Sequence, residues 1–372
     1  MIPKVGTGFR NSSCSSNKRT RDDDLKNPAL APAMPVESRT SWLTWAVVLA
    51  IWLVTLAALA GPLFPFTPRP SDIADAVVLA PDVDVYLRER EAQQPDVKPE
   101  LAKTIVWNEP TARNRTPLAL VYIHGFSASR RDITPVVETL ASALRANAFL
   151  TRLAAHGSAS AAGFATITAQ DWLDDAREAL AIGYRIGERV VLIGTSTGAL
   201  LATMAALEDN SPRIAALVLL SPNFRIRDWR AKFISGPLGR LFAHIIIGSE
   251  YSFRPASRGH AEFWTSHFPA EGIVALMDLM NYARSIHLDS LKTPTLIIYT
   301  DKDSVVDTRA IQDRFDEIAG TPKLIVDLPE ASRHELTGDA LAPETVVPVV
   351  RRIMAFLAEV DELGPASPRP AR

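Results

Sequence analysis

Residues 190–202 read Val-Val-Leu-Ile-Gly-Thr-Ser-Thr-Gly-Ala-Leu-Leu-Ala, in which a β-branched apolar run ends in the pattern Gly-x-Ser-x-Gly. Such a run is typical of a buried parallel strand, and the Ala- and Leu-rich residues after it have the pattern of a helix. A strand that leads at once into a helix requires a sharp turn, where side chains at Gly194 and Gly198 would clash with the neighbouring strand and helix. We therefore expect Ser196 at the apex of this turn, in a strained backbone conformation and with its hydroxyl exposed.

Strand and helix patterns alternate through most of the rest of the chain. Besides the strand that ends at residue 195, the apolar segments that predict strands are 104–107, 118–123, 149–154, 214–220, 295–299 and 323–327. The segments that predict helices are 84–93, 133–146, 171–186, 307–318 and 344–360, with Asp171 and Asp307 as N-caps of two of them. This alternation predicts an α/β fold with a mostly parallel sheet and helices on both faces.

The alternation is interrupted between residues 221 and 293. This segment has no clear strand pattern but carries many aromatic and aliphatic side chains. An insertion of about seventy residues at the carboxyl edge of a sheet is long for a plain loop, and it predicts a helical cap. We expect most of its aromatic side chains to form the core of the cap and only a few to line a pocket.

The composition excludes several classes of protein. The chain has 372 residues, which suits one large α/β domain with appendages, and its formal charge of -2 gives no indication of a nucleic-acid partner. Its one cysteine, Cys14, lies in a polar N-terminal arm, so a disulfide framework and a cysteine nucleophile are excluded. We expect neither a metal nor a cofactor.

Residues 42–60 form an uncharged apolar run after the polar arm, residues 1–40, which we expect to be disordered. A helix of about this length covers the roughly 30 Å hydrocarbon core of a bilayer, and Trp42 and Trp45 stand where an interfacial belt would lie. Basic residues are frequent before the run, whereas Arg69 is the only one soon after it. The positive-inside rule therefore predicts a single-pass protein with a cytoplasmic N-terminus and an exported catalytic domain.

Two alternatives to this anchor stay open. The A-x-A-like sequence that ends at Ala60 is compatible with a signal peptide cleaved near Ala60, especially if translation begins at Met34. A buried helix of the soluble domain is the other alternative, but the run has no polar face. The anchor and the signal peptide both place the catalytic domain outside the cytoplasm.

A serine hydroxyl is a poor nucleophile unless a base removes its proton and an anion fixes the tautomer of that base. On a strand-turn-helix of this kind the chain order is Ser, then Asp or Glu, then His. His334 is the histidine that follows Ser196 at the end of a predicted strand. For the acid, Asp301, Asp303 and Asp307 compete in the loop after residue 299, and we select Asp303 because Asp301 and Asp307 have turn and capping roles to fill.

An acyl-transfer site also needs donors for the tetrahedral oxyanion. The backbone N–H of Thr197, directly after the nucleophile at a helix N-terminus, is one candidate. The other is the backbone N–H of Phe126, in the loop after the strand 118–123. His124 in the same loop is expected to stabilise the turn.

These motifs make the stretch from about residue 118 to 357 resemble an α/β-hydrolase, of the branch of monoacylglycerol lipases, carboxylesterases and serine-aminopeptidase-like hydrolases. The segments that carry the resemblance are His124-Gly125-Phe126, His156-Gly157, residues 194–198, residues 303–306 and residues 332–335. The resemblance implies the triad Ser196, Asp303 and His334. Thr197 departs from the Met that is common after the nucleophile in this branch.

We therefore expect a membrane-anchored serine hydrolase that cleaves carboxylic esters through an acyl-enzyme. The aromatic cap and the apolar run suggest a lipid-like ester of the monoacylglycerol or lysophospholipid type. The alternatives are an acyltransferase, a peptidase with Glu250 or Glu262 as amine-binding residues in the cap, and a non-enzymatic anchored scaffold. The sequence gives no indication of oligomeric state.

The predicted division of the chain has seven parts: 1–40 (disordered arm), 41–61 (transmembrane anchor or signal sequence), 62–103 (linker and lead-in segment), 104–222 (first part of the hydrolase core), 223–292 (helical cap), 293–362 (second part of the core) and 363–372 (disordered tail).

Overall fold

The computed structural model describes residues 42–59, 62 and 65–363. The arm 1–40 with Cys14, the cleavage position at Ala60 and the tail 364–372 lie outside these residues. The chain divides into two units, Met1–Leu49 and Ala50–Arg372. The seven-part division predicted from the sequence stays a prediction.

Nine strands occur within the described residues, and seven of them form the main sheet in the order β1-β3-β2-β4-β5-β8-β9. Strand β1 is antiparallel to β3, and the other neighbouring pairs of this sheet are parallel. The bounds are β1 (Thr104–Val106), β2 (Thr116–Ile123), β3 (Asn147–Leu150), β4 (Gly187–Thr195), β5 (Ile214–Leu220), β6 (Glu250–Ser252), β7 (His267–Pro269), β8 (Thr295–Tyr299) and β9 (Lys323–Asp327).

Twelve α-helices occur in the same part of the chain. They are α1 (Trp42–Leu59), α2 (Ile73–Leu79), α3 (Val83–Ala92), α4 (Val136–Leu144), α5 (Ala169–Ile186), α6 (Thr197–Asp209), α7 (Ala231–Ile234), α8 (Gly239–Ile246), α9 (Arg258–Phe263), α10 (Glu271–Ser285), α11 (Thr308–Glu317) and α12 (Val346–Leu363). Short 3-10 turns precede β1, α5 and α12. The predicted α/β fold is confirmed.

Helices cover both faces of the sheet, as the alternation predicts. Buried side chains of α4 and α12 pack on one face, and those of α5, α6 and α11 pack on the other. The middle strands β4 and β5 are buried along most of their length, which explains why they read as continuous apolar runs.

Helix α12 spans Val346–Leu363 rather than 344–360, and three further differences have causes that the structure shows. Strand β3 ends at Leu150 rather than 154, because the N–H groups of Leu153 and Ala154 donate to side chains of His124 and Asp175 instead of a neighbouring strand. Helix α4 begins at Val136 rather than at 133, after a turn that includes Pro135. The third correction concerns the start of α5.

Helix α5 begins two residues earlier than predicted, and Asp171 is not its N-cap. Thr168 occupies that position, and Asp171, three residues on, accepts the backbone N–H of Thr168 at 2.9 Å to complete a capping box. The predicted N-cap of α11 is confirmed, since the Asp307 side chain accepts the N–H of Arg309 at 3.1 Å.

The insertion between β5 and β8 contains the four helices α7 to α10, which agrees with the predicted helical character of this segment. It also contains the antiparallel pair of β6 and β7, which the sequence did not indicate. Strands of three residues are too short to show a period-two pattern, so no signal for them was available.

Helix α1 contains no charged residue, and its side chains from Trp42 to Leu56 are exposed. In the described part of the chain, no helix is found that has both the length and the hydropathy to cross a membrane.

Candidate active site

The serine at position 196 stands at the apex of the turn between β4 and α6. Its backbone has φ 54° and ψ −115°, a left-handed φ that costs energy in a residue other than glycine. A Cβ at Gly194 would lie 2.4 Å from the carbonyl oxygen of Gly198, and one at Gly198 would lie 2.1 Å from that of Ile123. Both glycines are therefore needed for the turn and the neighbouring strand β2 to pack, as the sequence predicts.

Three side chains from distant loops meet at this turn. Nε2 of His334 lies 2.9 Å from Oγ of Ser196, and Nδ1 of His334 lies 2.7 Å from Oδ2 of Asp303. All three side chains are buried. This geometry lets the hydroxyl of Ser196 donate to Nε2 while the Nδ1–H of His334 donates to the carboxylate.

The loop after β8 orients Asp303. Its Oδ1 accepts the backbone N–H groups of Val305 at 2.7 Å and Val306 at 2.9 Å, which leaves Oδ2 for His334. The other two candidate acids lie away from His334: Asp307 caps α11, and Asp301 is exposed, with its backbone N–H rather than its carboxylate bonded to Asp327. Of the three carboxylates, only that of Asp303 contacts His334.

The electrostatics of the pair favour an ionised acid and a basic histidine. Burial works against the charge on His334, but the hydrogen bond and the charge of Asp303 outweigh it and raise the pKa of His334. Burial likewise opposes the carboxylate of Asp303, but the hydrogen bond and charge of His334, with the two backbone N–H donors, lower the pKa of Asp303. His334 can therefore act as a base that is stronger than an isolated imidazole.

The loop after β2 contains the predicted oxyanion donor. Gly125 donates its N–H to Oδ2 of Asp132 at 3.3 Å, and Ser127 donates its N–H to Nε2 of His156 at 2.9 Å. Between them, the N–H of Phe126 has no protein acceptor among the described residues, and the same holds for the N–H of Thr197. Both candidate donors are thus available to a ligand.

The histidine in the same loop, His124, serves as a turn-stabilising residue, as predicted. Its Nδ1 lies 2.8 Å from the carbonyl oxygen of Gly125, and its Nε2 accepts the N–H of Leu153 at 3.0 Å. Burial, together with the neighbouring His156, lowers the pKa of His124 well below its usual value, so the ring is neutral.

Sequence reasoning missed a buried network that joins the loop after β2 to the turn between β4 and α6. Asp132 accepts the Tyr122 hydroxyl at 2.5 Å and the N–H of Gly125, and the Tyr122 oxygen also lies 2.9 Å from Oγ1 of Thr195. Burial raises the pKa of Asp132 to about 7, against the opposing effect of the Tyr122 hydrogen bond. No motif marks these residues, because a tyrosine in an apolar strand reads as part of the core.

A cavity of about 700 Å³ opens above Ser196 and His334 and extends under the insertion. Its wall is largely apolar, with Ile226, Ile234, Ile246, Ile247, Phe253, Phe268, Ile273, Leu276 and Met277 among the lining residues. Charged and polar side chains also line it, among them Asp228, Arg230, Glu250, His260 and Glu335. The cavity has the size and character of a small-molecule site.

The two carboxylates predicted as amine-binding residues differ in position. Glu250 lines the cavity, where its carboxylate lies 3.3 Å from Nε2 of His267. Glu262 is exposed and does not line the cavity, and its backbone oxygen accepts Nζ of Lys98. Among the described residues, no group of three His, Cys, Asp or Glu side chains is arranged to hold a metal ion.

A family model described as serine aminopeptidase, S33, matches residues 118–340. No curated protein sequence is significantly similar to the chain. Many solved structures, in contrast, have a similar fold.

The solved structures with a similar fold include three lipolytic enzymes. One is described among the metagenome-derived lipolytic enzymes LipS and LipT, at TM-score 0.58 and 19% identity over 71% of this chain and 99% of that chain. The monoacylglycerol lipase of Paleococcus ferrophilus has TM-score 0.51 and 16% identity over 70% of this chain and 99% of its own. A soluble variant of the monoglyceride lipase of Saccharomyces cerevisiae has TM-score 0.53 and 12% identity over 70% and 91%. At these identities the likeness shows the fold.

Proposed function

The chain belongs to the serine aminopeptidase family S33 of α/β-hydrolases, and from that premise we propose that it cleaves carboxylic esters through an acyl-enzyme on Ser196. The observation that carries the proposal is the pair of short contacts that link Ser196 to His334 and His334 to Asp303. The largely apolar cavity above Ser196 supports a substrate with a hydrocarbon chain.

In the proposed acylation step, Nε2 of His334 takes the proton of the Ser196 hydroxyl while Oγ attacks the ester carbonyl carbon. The carbonyl oxygen becomes an oxyanion that accepts the N–H groups of Phe126 and Thr197. Asp303 stabilises the imidazolium form of His334. The imidazolium then donates its proton to the departing alkoxide, so that the alcohol leaves and the acyl group stays on Ser196.

In the proposed deacylation step, His334 takes a proton from water, and the resulting hydroxide oxygen attacks the acyl carbonyl. The oxyanion returns to the same two N–H donors, and its collapse breaks the bond to Oγ of Ser196, which recovers the proton from His334. The products are a carboxylic acid and the free enzyme.

A fluorophosphonate probe tests the proposal directly. We expect the probe to label the wild-type protein at Ser196, identified by peptide mass spectrometry, and to leave Ser196→Ala unlabelled. The same variant should fold normally and lose about four to six orders of magnitude in kcat towards p-nitrophenyl esters, because the nucleophile and base act as a unit. Near-normal ester turnover by Ser196→Ala would contradict the mechanism.

The finer substrate assignment is a lipid-like ester, of the monoacylglycerol or lysophospholipid type. The apolar wall of the cavity supports it, and two of the solved structures with a similar fold are described as monoacylglycerol and monoglyceride lipases. A series of p-nitrophenyl esters of increasing chain length measures the preference. Strong preference for acetate would contradict a lipid-like substrate.

An aminopeptidase is the second candidate, which the description of the family model favours. In that case the cavity should hold the amino group of a peptide, and Glu250 lies in its wall. Comparison of aminoacyl amides with acyl esters distinguishes the two activities. An acyltransferase would share the acyl-enzyme, and added alcohol acceptors would then yield new esters in place of the free acid.

We also propose that residues 42–60 attach the protein to a membrane, with the N-terminus in the cytoplasm and the catalytic domain on the exported side. The uncharged sequence of this run, the exposed apolar side chains of α1 and the basic residues before it support the proposal. Cleavage near Ala60 would instead release a secreted enzyme.

A further inference from the structure

The insertion presents a histidine to the catalytic cavity. His260 lies in α9, is 9% exposed, and lines the same cavity as Ser196 and His334. Its ring centroid lies 4.9 Å from that of Trp264 in an edge contact and 5.2 Å from that of Phe253 in a tilted one. The two aromatic rings restrict the orientation of the imidazole.

The hydrogen bonds of His260 determine its tautomer. Nδ1 accepts the backbone N–H of Ala256 at 3.1 Å, and a neutral imidazole that accepts at Nδ1 carries its proton on Nε2. Burial lowers the pKa of His260, against a smaller raising effect of Glu335, which favours this neutral form. Within the described residues Nε2 has no hydrogen-bond partner in the protein, so its N–H remains available to a ligand in the cavity that His260 lines.

The residues that flank α9 are hydrogen-bonded to Ser127, next to Phe126, and to Ala340, six residues after His334, which restricts the position of His260 relative to Ser196. Thr265, just after α9, donates its N–H to the carbonyl oxygen of Ser127 at 2.7 Å, next to the oxyanion loop. At the other end, Oγ of Ser257 donates to the carbonyl oxygen of Ala340 at 2.8 Å, in the segment that follows His334.

The carboxylate of Glu335 lines the same cavity and complements this donor. Glu335 follows His334 directly, is half-buried, and makes no hydrogen bond or ion pair in the described part of the chain. The other carboxylates in the wall are engaged: Asp228 pairs with Arg230, and Glu250 lies beside His267. Glu335 and His260 both line this cavity, and the charge of Glu335 opposes the lowering of the pKa of His260 by burial.

We propose that the Nε2–H of His260 and the carboxylate of Glu335 form a polar subsite that binds a substrate hydroxyl group close to the scissile ester. The hydroxyl donates a hydrogen bond to the carboxylate of Glu335 and accepts one from the Nε2–H of His260. A hydroxyl is both donor and acceptor and so fits the pair, whereas an ammonium group uses only the carboxylate and an anion is repelled by it. The proposal rests on the proposed ester hydrolysis at Ser196.

Two pairs of nearly isosteric esters test the subsite and show which end of the substrate it binds. Propyl octanoate and 2-hydroxyethyl octanoate differ by a methyl against a hydroxyl on the alcohol, and octyl propanoate and octyl glycolate differ in the same way on the acyl group. We expect kcat/KM, normalised to the alkaline hydrolysis rate of each ester, to favour the hydroxyl member of one pair by about tenfold. The pair that shows the preference identifies the bound end.

Two substitutions of His260 test the role of the Nε2–H donor apart from that of the rest of the imidazole ring. His260→Gln keeps an amide donor near the position of Nε2, and His260→Asn keeps an acceptor near Nδ1 for Ala256 but has no donor at the position of Nε2. Both remove the ring, so only the ratio of the two esters is compared. We expect the ratio to fall to about one in His260→Asn and to stay several-fold above one in His260→Gln, and to fall also in Glu335→Ala.

The outcomes distinguish the subsite from the proposed function. Turnover of all four esters without a hydroxyl preference in the wild-type enzyme, or equal ratios in His260→Asn and His260→Gln, overturns the subsite alone. Faster turnover of choline octanoate than of 2-hydroxyethyl octanoate also overturns it, because that result indicates an ammonium site. Failure of the wild-type enzyme to hydrolyse any of the esters contradicts ester hydrolysis itself.

Discussion

The two carboxylate oxygens of Asp303 have different partners: one accepts backbone N–H groups, and the other contacts the side chain of His334. Oδ1 is occupied by two backbone N–H donors of its own loop, so Oδ2 has a fixed direction towards His334. Asp301 and Asp307 lie within four residues of it, but Asp301 is exposed and Asp307 caps α11. The backbone bonds to Oδ1 therefore fix the orientation of the Asp303 side chain and leave Oδ2 free to bind His334.

The pH dependence of activity should follow the ionisation of His334. The free enzyme needs a neutral imidazole to accept the Ser196 proton, so kcat/KM should fall as pH decreases through the pKa of His334. Because Asp303 raises that pKa, the acid limb should lie above the ordinary value of 6.5. In Asp303→Asn the limb should move to lower pH, with a loss of about 10⁴-fold in kcat. A pH profile of p-nitrophenyl ester hydrolysis measures both effects, and an unmoved limb in the variant would contradict the assignment.

Asp132 is expected to position the oxyanion loop. Asp132→Leu removes the acceptor for the Gly125 N–H and the Tyr122 hydroxyl, so the neighbouring N–H of Phe126 should be displaced. We expect kcat to fall about 10- to 100-fold with KM changed less than about twofold, a smaller loss than full removal of an oxyanion donor. Steady-state kinetics on one ester measure the split between kcat and KM.

Asp132→Asn is the matched control for this prediction. Burial raises the pKa of Asp132 to about 7, so the neutral side chain is well populated at neutral pH, and an amide resembles that form. Its oxygen can accept the Gly125 N–H while its nitrogen donates to Tyr122. Activity close to wild type in Asp132→Asn is expected, and equal losses in the two variants would contradict a positioning role.

At the scale of secondary-structure elements, several boundaries depend on side chains from elsewhere in the fold. Helix α2, which the sequence did not indicate, ends where Arg185 of α5 donates to the carbonyl oxygens of Val77, Val78 and Ala80. An isolated helix of seven residues is marginal in water, so a tertiary contact of this kind is needed to hold it.

A buried ion cluster joins the lead-in segment to α5. Lys103 pairs with Asp175 at 2.9 Å and also with Glu178, which in turn accepts the hydroxyl of Tyr86 from α3 at 2.7 Å. Lys103→Met should lower the free energy of unfolding by about 3–5 kcal/mol, because it leaves Asp175 buried without a cation and Glu178 with only the partly exposed Arg90. Urea denaturation followed by fluorescence measures the change.

Arg113→Gln provides the comparison. Arg113 pairs with Asp84 at 3.0 Å, but its side chain is 55% exposed, and solvent screens the pair. We expect its loss to cost less than about 1 kcal/mol. Similar losses in Lys103→Met and Arg113→Gln would show that burial does not control the contribution of these pairs.

At the scale of the whole molecule, different parts of the chain carry the proposed membrane attachment and the proposed catalysis. The charged residues before residue 42 and the apolar run 42–60 are properties of the sequence, and both bear on where the domain resides. The contacts among Ser196, His334 and Asp303 lie within residues 118–340, the range that the family model matches. Attachment and catalysis should therefore be separable.

The membrane proposal predicts that Leu49→Lys combined with Leu53→Lys shifts the protein from the membrane pellet to the supernatant. Each lysine near the centre of a membrane helix costs about 2.5–3.5 kcal/mol, whereas kcat on a soluble ester should not change. Sedimentation after carbonate extraction measures the distribution. Wild-type protein that stays in the supernatant with its N-terminus intact would contradict the anchor, and a mature N-terminus after Ala60 would indicate secretion.

The single cysteine reports the orientation in the same full-length protein. Cys14 should react with a membrane-impermeant maleimide only after the membrane is permeabilised, since the N-terminus is predicted to be cytoplasmic. Cys14→Ser is the control for non-specific labelling. Labelling of Cys14 in sealed cells would reverse the proposed topology.

Local patterns were sufficient for much of the fold. Strands β5, β8 and β9 have the bounds that their apolar runs predict, and Asp307 caps α11 as its position indicates. These features depend on neighbours in sequence, such as β-branched runs and capping side chains, so the sequence carries their signal. The end of β3 and the N-cap of α5 were misassigned, the first because distant side chains satisfy its backbone donors.

The sequence by itself determined the strand-turn-helix around Ser196, the chain order of the candidate nucleophile, acid and base, and the α/β class, because backbone sterics and apolar periodicity are local. Only the tertiary structure decided which of three aspartates contacts His334, that Asp132 joins the oxyanion loop to the nucleophile turn, and that His260 faces the cavity. Those contacts join residues far apart in the chain, and their hydrogen bonds depend on distances that only the packed sheet, loops and insertion set.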